Sequence, residues 1–303
     1  MYYVVKYLVT GAAGFIGSKT VEQLAEDGHF VFAMDDFSLG IADNVHGDAE
    51  LIEGSVREAN IPDGIDGIFH YAAHSSLQWC EENPVRAADV NVSGTVRIFE
   101  YAKDNSVPVA WSSTSSIYGT HHEPASEEDA LDIVTAYDAT KRSGENFAEY
   151  YREYHDASIA TLRPYSVYGG SQDENHKREY ANIITGFANT MASGNSPVLF
   201  GDGKQSRDFV HVDDVVRAFR ATLNNSGTYN VGTGKPVTFN TIVELLNKEL
   251  GTKLEPEYKE NPFPEKAYVR GQNADISKLT TETSWEPQVS IEEGVRRVCD
   301  QLE

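Results

Sequence analysis

A tyrosine and a lysine at helical spacing follow a segment rich in hydroxyl side chains. The segment is SSTSSIYG (112–119), and it comes after an apolar run, VPVAW, that predicts a buried strand. Tyr137 and Lys141 in AYDATK lie four residues apart, so a helix would place both on one face. A phenol titrates at about pH 10, so Tyr137 needs nearby positive charge, such as that of Lys141, to act as a base at neutral pH. The alternative is a buried tyrosine and a surface lysine on an ordinary helix.

Glycines and a carboxylate mark a second candidate site near the start of the chain. Gly11, Gly14 and Gly17 in VTGAAGFIG separate a predicted strand from a predicted helix, where glycine lets the backbone approach a pyrophosphate. The helix would offer free N–H groups and partial positive charge to the phosphates. Asp35 ends the next predicted strand, where a carboxylate can bind a ribose hydroxyl. Because no arginine or lysine follows Asp35 closely, we expect NAD rather than NADP; the alternative role for Asp35 is to cap the following turn.

Short apolar runs alternate with helix-like runs in the first half of the chain. The helix-like runs are 16–28, 85–105 and 136–155, and alternation of this kind predicts a parallel sheet covered on both faces. The fold class is therefore α/β, a Rossmann-type doubly wound parallel sheet with a smaller α/β C-terminal substrate lobe. The predicted strands are KYLVT (6–10), HFVFAMD (29–35), GIFHYA (67–72), PVAWSS (108–113) and SIATLRP (158–164).

The alternation of predicted strands and helices becomes less regular after about residue 165. We predict an NAD-binding domain at 1–165, with contributions from about 206–235, and a mainly substrate-binding lobe at 166–303. In open parallel sheets the ligand crevice lies at the carboxyl ends of the strands, so the lobe is expected to cover those ends.

Charge and cysteine content exclude several classes of protein. The net charge of −22 is spread along the chain and would repel nucleic acid phosphates, so no nucleic acid partner is expected. Such acidity is typical of proteins from salt-loving organisms, and an ordinary acidic bacterial protein is the alternative. Two distant cysteines, Cys80 and Cys299, favour packing roles and a cytoplasmic setting over disulfides. No apolar run is long enough to cross a membrane, and we expect no membrane or metal partner.

Ten motifs in order resemble the extended short-chain dehydrogenase/reductase family, particularly its nucleotide-sugar 4-epimerases such as UDP-glucose/UDP-galactose 4-epimerases. The motifs are TGAAGFIGS, MDDFSLG, FHYAA, VNVSGT, SSTSSIYG, YDATK, LRPYSVYG, GDGKQSRDFVHVDDV, YNVGTG and ADISK…SWEP, and they cover nearly the whole chain. The resemblance implies catalytic roles for Thr114, Tyr137 and Lys141. It implies a cofactor site formed by Gly11, Gly14, Phe15, Ile16, Gly17, Asp35, Asp36, Ala72, Ala73, Asn91, Tyr137, Lys141 and Tyr165.

The resemblance also implies a mechanism. Tyr137 takes the proton of a sugar 4-hydroxyl while the C4 hydride moves to NAD, and Thr114 donates or relays a hydrogen bond at that hydroxyl. The 4-keto sugar then turns and receives the hydride on its other face. Related 4,6-dehydratases carry an Asp-Glu pair after the threonine, but this chain has Ser115 and Ser116. Without an acid near C5 or C6, elimination has no evident proton carrier, and simple epimerisation at C4 is favoured.

Substrate contacts are implied less strongly than catalytic ones. Arginine binds phosphate through two donors, which suits Arg207 and Arg270 to a nucleotide diphosphate. Two departures from the family stand at Ser166, where many relatives have asparagine, and at Ser55, where relatives place an aspartate near the adenine. The implied substrate site is Thr114, Ser115, Ser116, Ser166, Asn182, Arg207 and Arg270.

The segment at Gln272 and Asn273 lacks a bulky aromatic residue, which leaves room for an N-acetyl group at C2 of the sugar. Three other possibilities stay open: a UDP-glucuronate epimerase, a sugar-nucleotide reductase, and a non-catalytic dinucleotide-binding sensor. The resemblance implies a homodimer formed through helices 85–103 and 136–155, although apolar residues there, such as Phe99 and Phe147, suit either a dimer seam or the sheet face.

Overall fold

A sheet of seven strands organises the first half of the chain in the computed structural model, which describes residues 4–120, 124–169, 182–261 and 269–302. The strands in these ranges are β1 Lys6–Thr10, β2 Phe30–Asp35, β3 Glu50–Glu53, β4 Gly67–His70, β5 Val109–Ser112, β6 Ile159–Pro164, β7 Ser166–Tyr168, β8 Val198–Phe200, β9 Ser206–Arg207, β10 Phe209–His211, β11 Gly227–Val231, β12 Val237–Thr238 and β13 Glu257–Lys259. The helices are α1 Phe15–Glu26, α2 Leu77–Glu82, α3 Pro84–Ala88, α4 Thr95–Asn105, α5 Ala136–His155, α6 Ile183–Ala192, α7 Val212–Thr222, α8 Phe239–Glu249, α9 Ser277–Thr283 and α10 Ile291–Asp300.

The strand order of the large sheet is β11-β6-β5-β4-β1-β2-β3, and the pairs from β6 to β3 are parallel. The chain therefore builds the sheet outward in two directions from the boundary between β1 and β4, which is the switch point of a doubly wound sheet. Strands β4 and β6 are buried along their whole length, as is typical of inner strands of a parallel sheet. The predicted Rossmann-type α/β class is confirmed.

One strand that was not predicted and one predicted helix show where the structure differs from the sequence analysis. The edge strand β3, ELIE, was not predicted, because three of its four side chains are exposed and it carries no buried apolar run. The run 85–105, predicted as one helix, is α3, a π-helical segment at Asp89–Gly94, and α4. The five predicted strands are confirmed, with ends that differ by at most two residues.

The chain divides into two compact units. Unit 1 contains the described residues within 1–117, 133–163 and 216–229, and unit 2 those within 118–132, 164–215 and 230–303. Unit 1 has its core between the sheet and α4 and α5, where Phe99 packs edge-on to Trp111. Unit 2 has a separate core in which α6, α8 and α10 bury Phe187, Ile242 and Val295. The predicted assignment of dinucleotide and substrate to particular residue ranges stays a prediction.

Candidate active site

The glycine turn between β1 and α1 is shaped by close backbone contacts. Gly11 has a left-handed φ of 67°, and a Cβ at Gly17 would lie 2.0 Å from the carbonyl oxygen of Gly11. Helix α1 begins after Gly14 with no side-chain cap and no acidic residue in its first turn. The amide groups of Phe15 and Ile16 open that turn, so this helix start keeps the positive end of its dipole for an external anion.

Asp35 closes the turn at the end of β2. Its Oδ2 accepts a hydrogen bond from Ala13 N at 3.0 Å, and its Oδ1 accepts one from Phe37 N at 2.8 Å. Burial is the largest influence on Asp35 and raises the pKa of its carboxyl group. The alternative role as a turn cap is thus observed, while a contact with ribose stays a prediction. The neighbouring Asp36 accepts from Ser38 N at 3.0 Å.

His74 follows Ala72 and Ala73 after the end of β4, and the sequence analysis did not predict a role for it. Asn91 holds the backbone of His74 by two hydrogen bonds, accepting from its N at 2.8 Å and donating to its O at 3.0 Å. The His74 ring stacks on Trp79 at 3.9 Å between centroids. Its Nδ1 is buried and has no hydrogen-bond partner among the described residues. A polar residue directly after a buried parallel strand was the available signal.

These features fit a dinucleotide. An uncapped helix start offers N–H donors to a pyrophosphate, and the glycines keep the space before it free of side chains. The buried Nδ1 of His74 supplies one unsatisfied polar atom at the carboxyl end of the neighbouring strand β4. A buried polar atom of this kind calls for a partner, which a bound ligand would provide.

The three predicted catalytic residues are brought together within unit 1. Tyr137 opens α5 and packs against Cys80 and Ala87. The Thr114 hydroxyl lies near this phenol and acts to lower its pKa. Lys141 follows one turn later with its Nζ 5.8 Å from the centre of the Tyr137 ring, and it donates to the carbonyl oxygen of Ser112 at 2.7 Å.

Burial, rather than positive charge, dominates the titration of this cluster in the protein alone. It raises the pKa of Tyr137 well above the usual value for a phenol, and the nearby Thr114 hydroxyl opposes this only in part. Burial also lowers the pKa of Lys141 to about 8. In the protein without its cofactor the pKa of Tyr137 is therefore raised, because burial disfavours the phenolate, and the lowered pKa expected beside a bound nicotinamide stays a prediction.

Two buried carboxylates of α5 bind the hydroxyls at the end of β5. Ser113 Oγ donates to Glu145 Oε1 at 2.6 Å, and Ser116 Oγ donates to Asp138 Oδ1 at 2.5 Å. Glu145 also forms a buried ion pair with Arg163, in which two nitrogens contact two oxygens at 2.9 and 2.8 Å. Side chains of the facing helix α5 therefore fix these two hydroxyls.

The predicted substrate residues in unit 2 lie mainly on short elements. Arg207 in β9 lies 5.5 Å from the centre of the Phe239 ring, and the carbonyl oxygen of Arg270 accepts from Ser206 N at 2.9 Å. The backbone therefore brings the segments of the two arginines side by side. Ser166 begins β7 and is half-buried, with its N donating to the Asp208 carbonyl.

Asn182, Tyr165 and the Gln272–Asn273 segment take part in local structure. Asn182 caps α6, accepting from Ile184 N and Thr185 N. Tyr165 N donates to the Val231 carbonyl, and its ring stacks on Tyr118 at 6.3 Å. Gln272 N donates to Ser206 O at 3.3 Å, which joins this segment to β9. The Oδ1 atom of Asn273 is buried and has no hydrogen-bond partner in the described ranges.

Other classes of site are not found in the part of the chain that the structure describes. Within it, no group of three or more histidine, cysteine, aspartate or glutamate side chains is placed to hold a metal ion. Cys80 and Cys299 are both buried and both unbridged. No helix among the described residues combines the length and the apolar character needed to span a bilayer.

The chain belongs to the NAD dependent epimerase/dehydratase family, whose model matches residues 7–232. It is therefore an NAD-dependent enzyme of the epimerase type, with NAD as its cofactor. It is 34% identical over 309 residues to a UDP-glucose 4-epimerase of Mycolicibacterium smegmatis, with 97% of each chain covered.

Two solved structures are similar along the whole chain. The UDP-glucose 4-epimerase of Thermotoga maritima, solved with UDP-glucose, is 31% identical with a TM-score of 0.89 and covers 99% of this chain and 100% of its own. The UDP-N-acetylglucosamine 4-epimerase of Methanobrevibacter ruminantium, in complex with UDP-N-acetylmuramic acid, is 30% identical with a TM-score of 0.92 and covers 99% of each chain. The resemblance predicted from the motifs is confirmed.

Proposed function

We propose that this enzyme inverts C4 of a UDP-hexose through a 4-keto intermediate, with UDP-glucose and UDP-galactose as its substrate pair. The observation that carries the proposal is the cluster of Thr114, Tyr137 and Lys141 at the end of β5 and the start of α5. A phenol near a hydroxyl and an ammonium group can exchange a proton with a sugar alcohol.

In this proposal the residues of the chain transfer one proton from the sugar and back to it. Tyr137 accepts the proton of the 4-hydroxyl and later returns it to the oxygen at C4. Thr114 stabilises the oxygen of Tyr137 by a hydrogen bond, and Lys141 holds positive charge on the same helix face. Bound NAD supplies the acceptor for the C4 hydrogen and the additional positive charge that burial of Tyr137 requires. The glycine turn, the start of α1 and Asp35 would hold it.

The position after Thr114 supports epimerisation over elimination. Ser115 and Ser116 are alcohols and cannot act as an acid toward C5 or C6 at neutral pH. Asp138 approaches Ser116, but this carboxylate is fully buried and both of its oxygens accept hydrogen bonds within the protein. It is therefore not presented to a sugar.

The substrate is bound in this proposal by residues of unit 2. Arg207 and Arg270 contact the diphosphate, and Ser166 and Asn182 lie near the nucleotide sugar. The segment at Gln272 and Asn273 lacks a bulky aromatic side chain, which leaves room for an N-acetyl group, so UDP-N-acetylglucosamine should turn over comparably to UDP-glucose. Strong rejection of the N-acetylated sugar would contradict this part of the proposal.

The test is to incubate the pure protein with a panel of nucleotide sugars and to separate the C4 isomers by chromatography. A C4 epimer should form without net NADH, whereas net oxidation or reduction of the cofactor would indicate a reductase. Tyr137→Phe should lower turnover by about 10²–10⁴-fold, because the proton acceptor is lost. Tyr258→Phe removes an exposed phenol on β13 and is the matched control. Full turnover by Tyr137→Phe would overturn the assignment of the base.

A homodimer formed through α3 to α5 is part of this proposal. These helices expose apolar side chains, with Val85 83% exposed, Tyr154 73% and Phe147 38%. Phe99, by contrast, is buried against the sheet and is not available for a seam. Sedimentation should show a dimer that Val85→Asp weakens and that Val4→Asp, at another exposed valine, leaves intact. A monomer at micromolar concentration would contradict the dimer.

The net charge of −22 supports an enzyme of a salt-rich cell, and the two unbridged cysteines support a cytoplasmic setting. Salt screens repulsion between like surface charges that are more than about 10 Å apart at 0.1 M. This distance becomes shorter as the salt concentration rises. The thermal midpoint should therefore rise between low and molar potassium chloride. An unchanged or falling midpoint would favour an ordinary acidic protein.

A further inference from the structure

The buried ammonium group of Lys141 lies over two aromatic rings. Its Nζ is 5.4 Å from the centre of the Trp111 ring and 5.8 Å from the centre of the Tyr137 ring. Lys141 is 2% exposed and Trp111 is 0% exposed. These contacts join β5, which carries Trp111, to the first turns of α5. A residue that the proposed mechanism does not use therefore contacts one of the catalytic groups.

Lys141 has few other partners for its charge. An ammonium group carries three N–H donors, and one of them donates to the carbonyl oxygen of Ser112 at 2.7 Å. Among the described residues no carboxylate forms an ion pair with Nζ, and the nearby Glu145 is paired with Arg163 instead. A buried cation without such a pair needs another source of negative potential. The ring faces supply it, because an aromatic π-system is negative above its plane.

A glycine within α5 makes the close approach of Trp111 possible. Gly144 lies inside a 20-residue helix, where glycine is less favourable than alanine. A Cβ at this position would lie 2.6 Å from two carbon atoms of the indole, which is closer than packing allows. Phe99 of α4 packs edge-on to the same indole at 5.7 Å between ring centres. The indole is thus fixed by two helices in the position that contacts Lys141.

We infer that Trp111 is a positioning residue for Lys141: its indole face holds the ammonium group beside Tyr137 and favours the charged form by a cation–π interaction. The inference rests on the proposed function, in which the charge of Lys141 stabilises the phenolate of Tyr137. Tryptophan forms the strongest cation–π interactions of the aromatic side chains, and exclusion of water strengthens them. Burial lowers the pKa of Lys141 to about 8, and the indole opposes a further fall.

The titratable groups that act on Lys141 come from three elements. On β4, burial and the charge of Lys141 lower the pKa of His70 to about 3, so this ring is neutral. On α2, burial raises the pKa of the Cys80 thiol to about 11. On α5, burial keeps the Tyr137 phenol neutral, and Glu145 favours the charged form of Lys141 from a distance. Of these four groups only Glu145 is charged at neutral pH, and it does not pair with Nζ.

Fluorinated tryptophan tests the inference because fluorine withdraws electrons from the ring face and changes the shape of the indole little. The protein is labelled with tryptophan that carries one, two or three fluorine atoms, and the pKa of Lys141 is read from the NMR shift of its Cε carbon. This pKa should fall with each added fluorine, by about one unit in total, because weakening the interaction disfavours the charged form. The alkaline decline of turnover in the NAD-loaded enzyme should move to lower pH by the same amount.

Background variants separate Trp111 from the other tryptophans of the chain. The sequence contains three, so Trp79 and Trp285 carry the label as well. In a Trp111→Phe background the same labels should leave the pKa of Lys141 unchanged. The double variant Trp79→Phe/Trp285→Phe leaves Trp111 as the sole label and should show the whole shift, which keeps the test decisive if Trp111→Phe does not fold. An unchanged pKa in the double variant, or a rise, would overturn the inference.

The two readouts distinguish a failure of this inference from a failure of the proposed function. The NMR titration needs no substrate, so it reports on Trp111 and Lys141 even if the proposed reaction is wrong. Full turnover by Tyr137→Phe would contradict the proposed function and leave the titration result standing. A role of Trp111 in packing alone would change the stability of the protein without a graded fall in the pKa of Lys141, and that result would contradict the inference.

Discussion

Helix α5 of unit 1 and helix α10 of unit 2 bury charge to very different extents. In unit 1, helix α5 alone carries Asp138, Lys141 and Glu145 at exposures of 0%, 2% and 1%. In unit 2, the ion pairs of α10 lie at the surface, as in Arg296–Asp300, with side chains 47% and 59% exposed. A buried charge must have fixed partners, because leaving it unpaired costs several kcal/mol. The proton chemistry is therefore expected where the partners are fixed.

The elements that carry the candidate residues differ in the same way. Tyr137 and Lys141 lie on a 20-residue helix that packs on the central sheet. Arg207 lies on a two-residue strand, and Arg270 lies in a segment outside any strand or helix. Short elements tolerate change more easily than long packed ones. The comparison thus predicts that reaction type depends on unit 1 and substrate choice on unit 2.

The largest expected difference between the units is in stability. Glu145→Ala should cost about 3–5 kcal/mol, because it leaves Arg163 buried without its main partner. Asp300→Ala removes an exposed pair and should cost less than about 1 kcal/mol. Urea denaturation followed by fluorescence measures both. Equal losses would show that the burial of the ion pair on α5 does not distinguish it from the exposed pair on α10.

The next effect concerns substrate binding. Arg207→Ala should raise KM for the nucleotide sugar by about 10–100-fold, because hydrogen bonds to a charged group contribute about 1.5–3 kcal/mol each. The affinity for NAD, measured by calorimetry, should stay unchanged. Arg296→Ala, at an exposed arginine of unit 2, serves as the matched control. A fall in turnover with no change in KM would indicate that Arg207 acts in catalysis rather than in substrate binding.

The smallest effect is a pH dependence. Burial lowers the pKa of Lys141 to about 8, so this side chain loses its positive charge as pH rises through that value rather than near the usual 10.5. Loss of that charge disfavours the phenolate of Tyr137, and turnover should decline a few-fold above about pH 8. Lys141→Met should be slower throughout and should lack this alkaline decline. An alkaline decline of the same size in Lys141→Met would assign it to another group.

Much of the fold follows from local patterns in the sequence. The alternation of apolar strands with helical runs predicted β1, β2, β4, β5 and β6 and the class of the sheet. The glycine turn was predictable because the required φ at Gly11 and the close approach at Gly17 exclude a side chain. Edge strand β3 was missed because an exposed strand needs no apolar pattern.

The candidate site was only partly predictable. The sequence by itself determined that Tyr137 and Lys141 share a helix face, because helical spacing depends only on neighbouring residues. Only the tertiary structure placed Asp138 beside Ser116, which lies 22 residues earlier, and left His74 Nδ1 buried without a described partner. It also decided that burial raises the pKa of Tyr137. Contacts between distant segments and the loss of water around a group arise from packing of the whole unit, and no local pattern of residues specifies them.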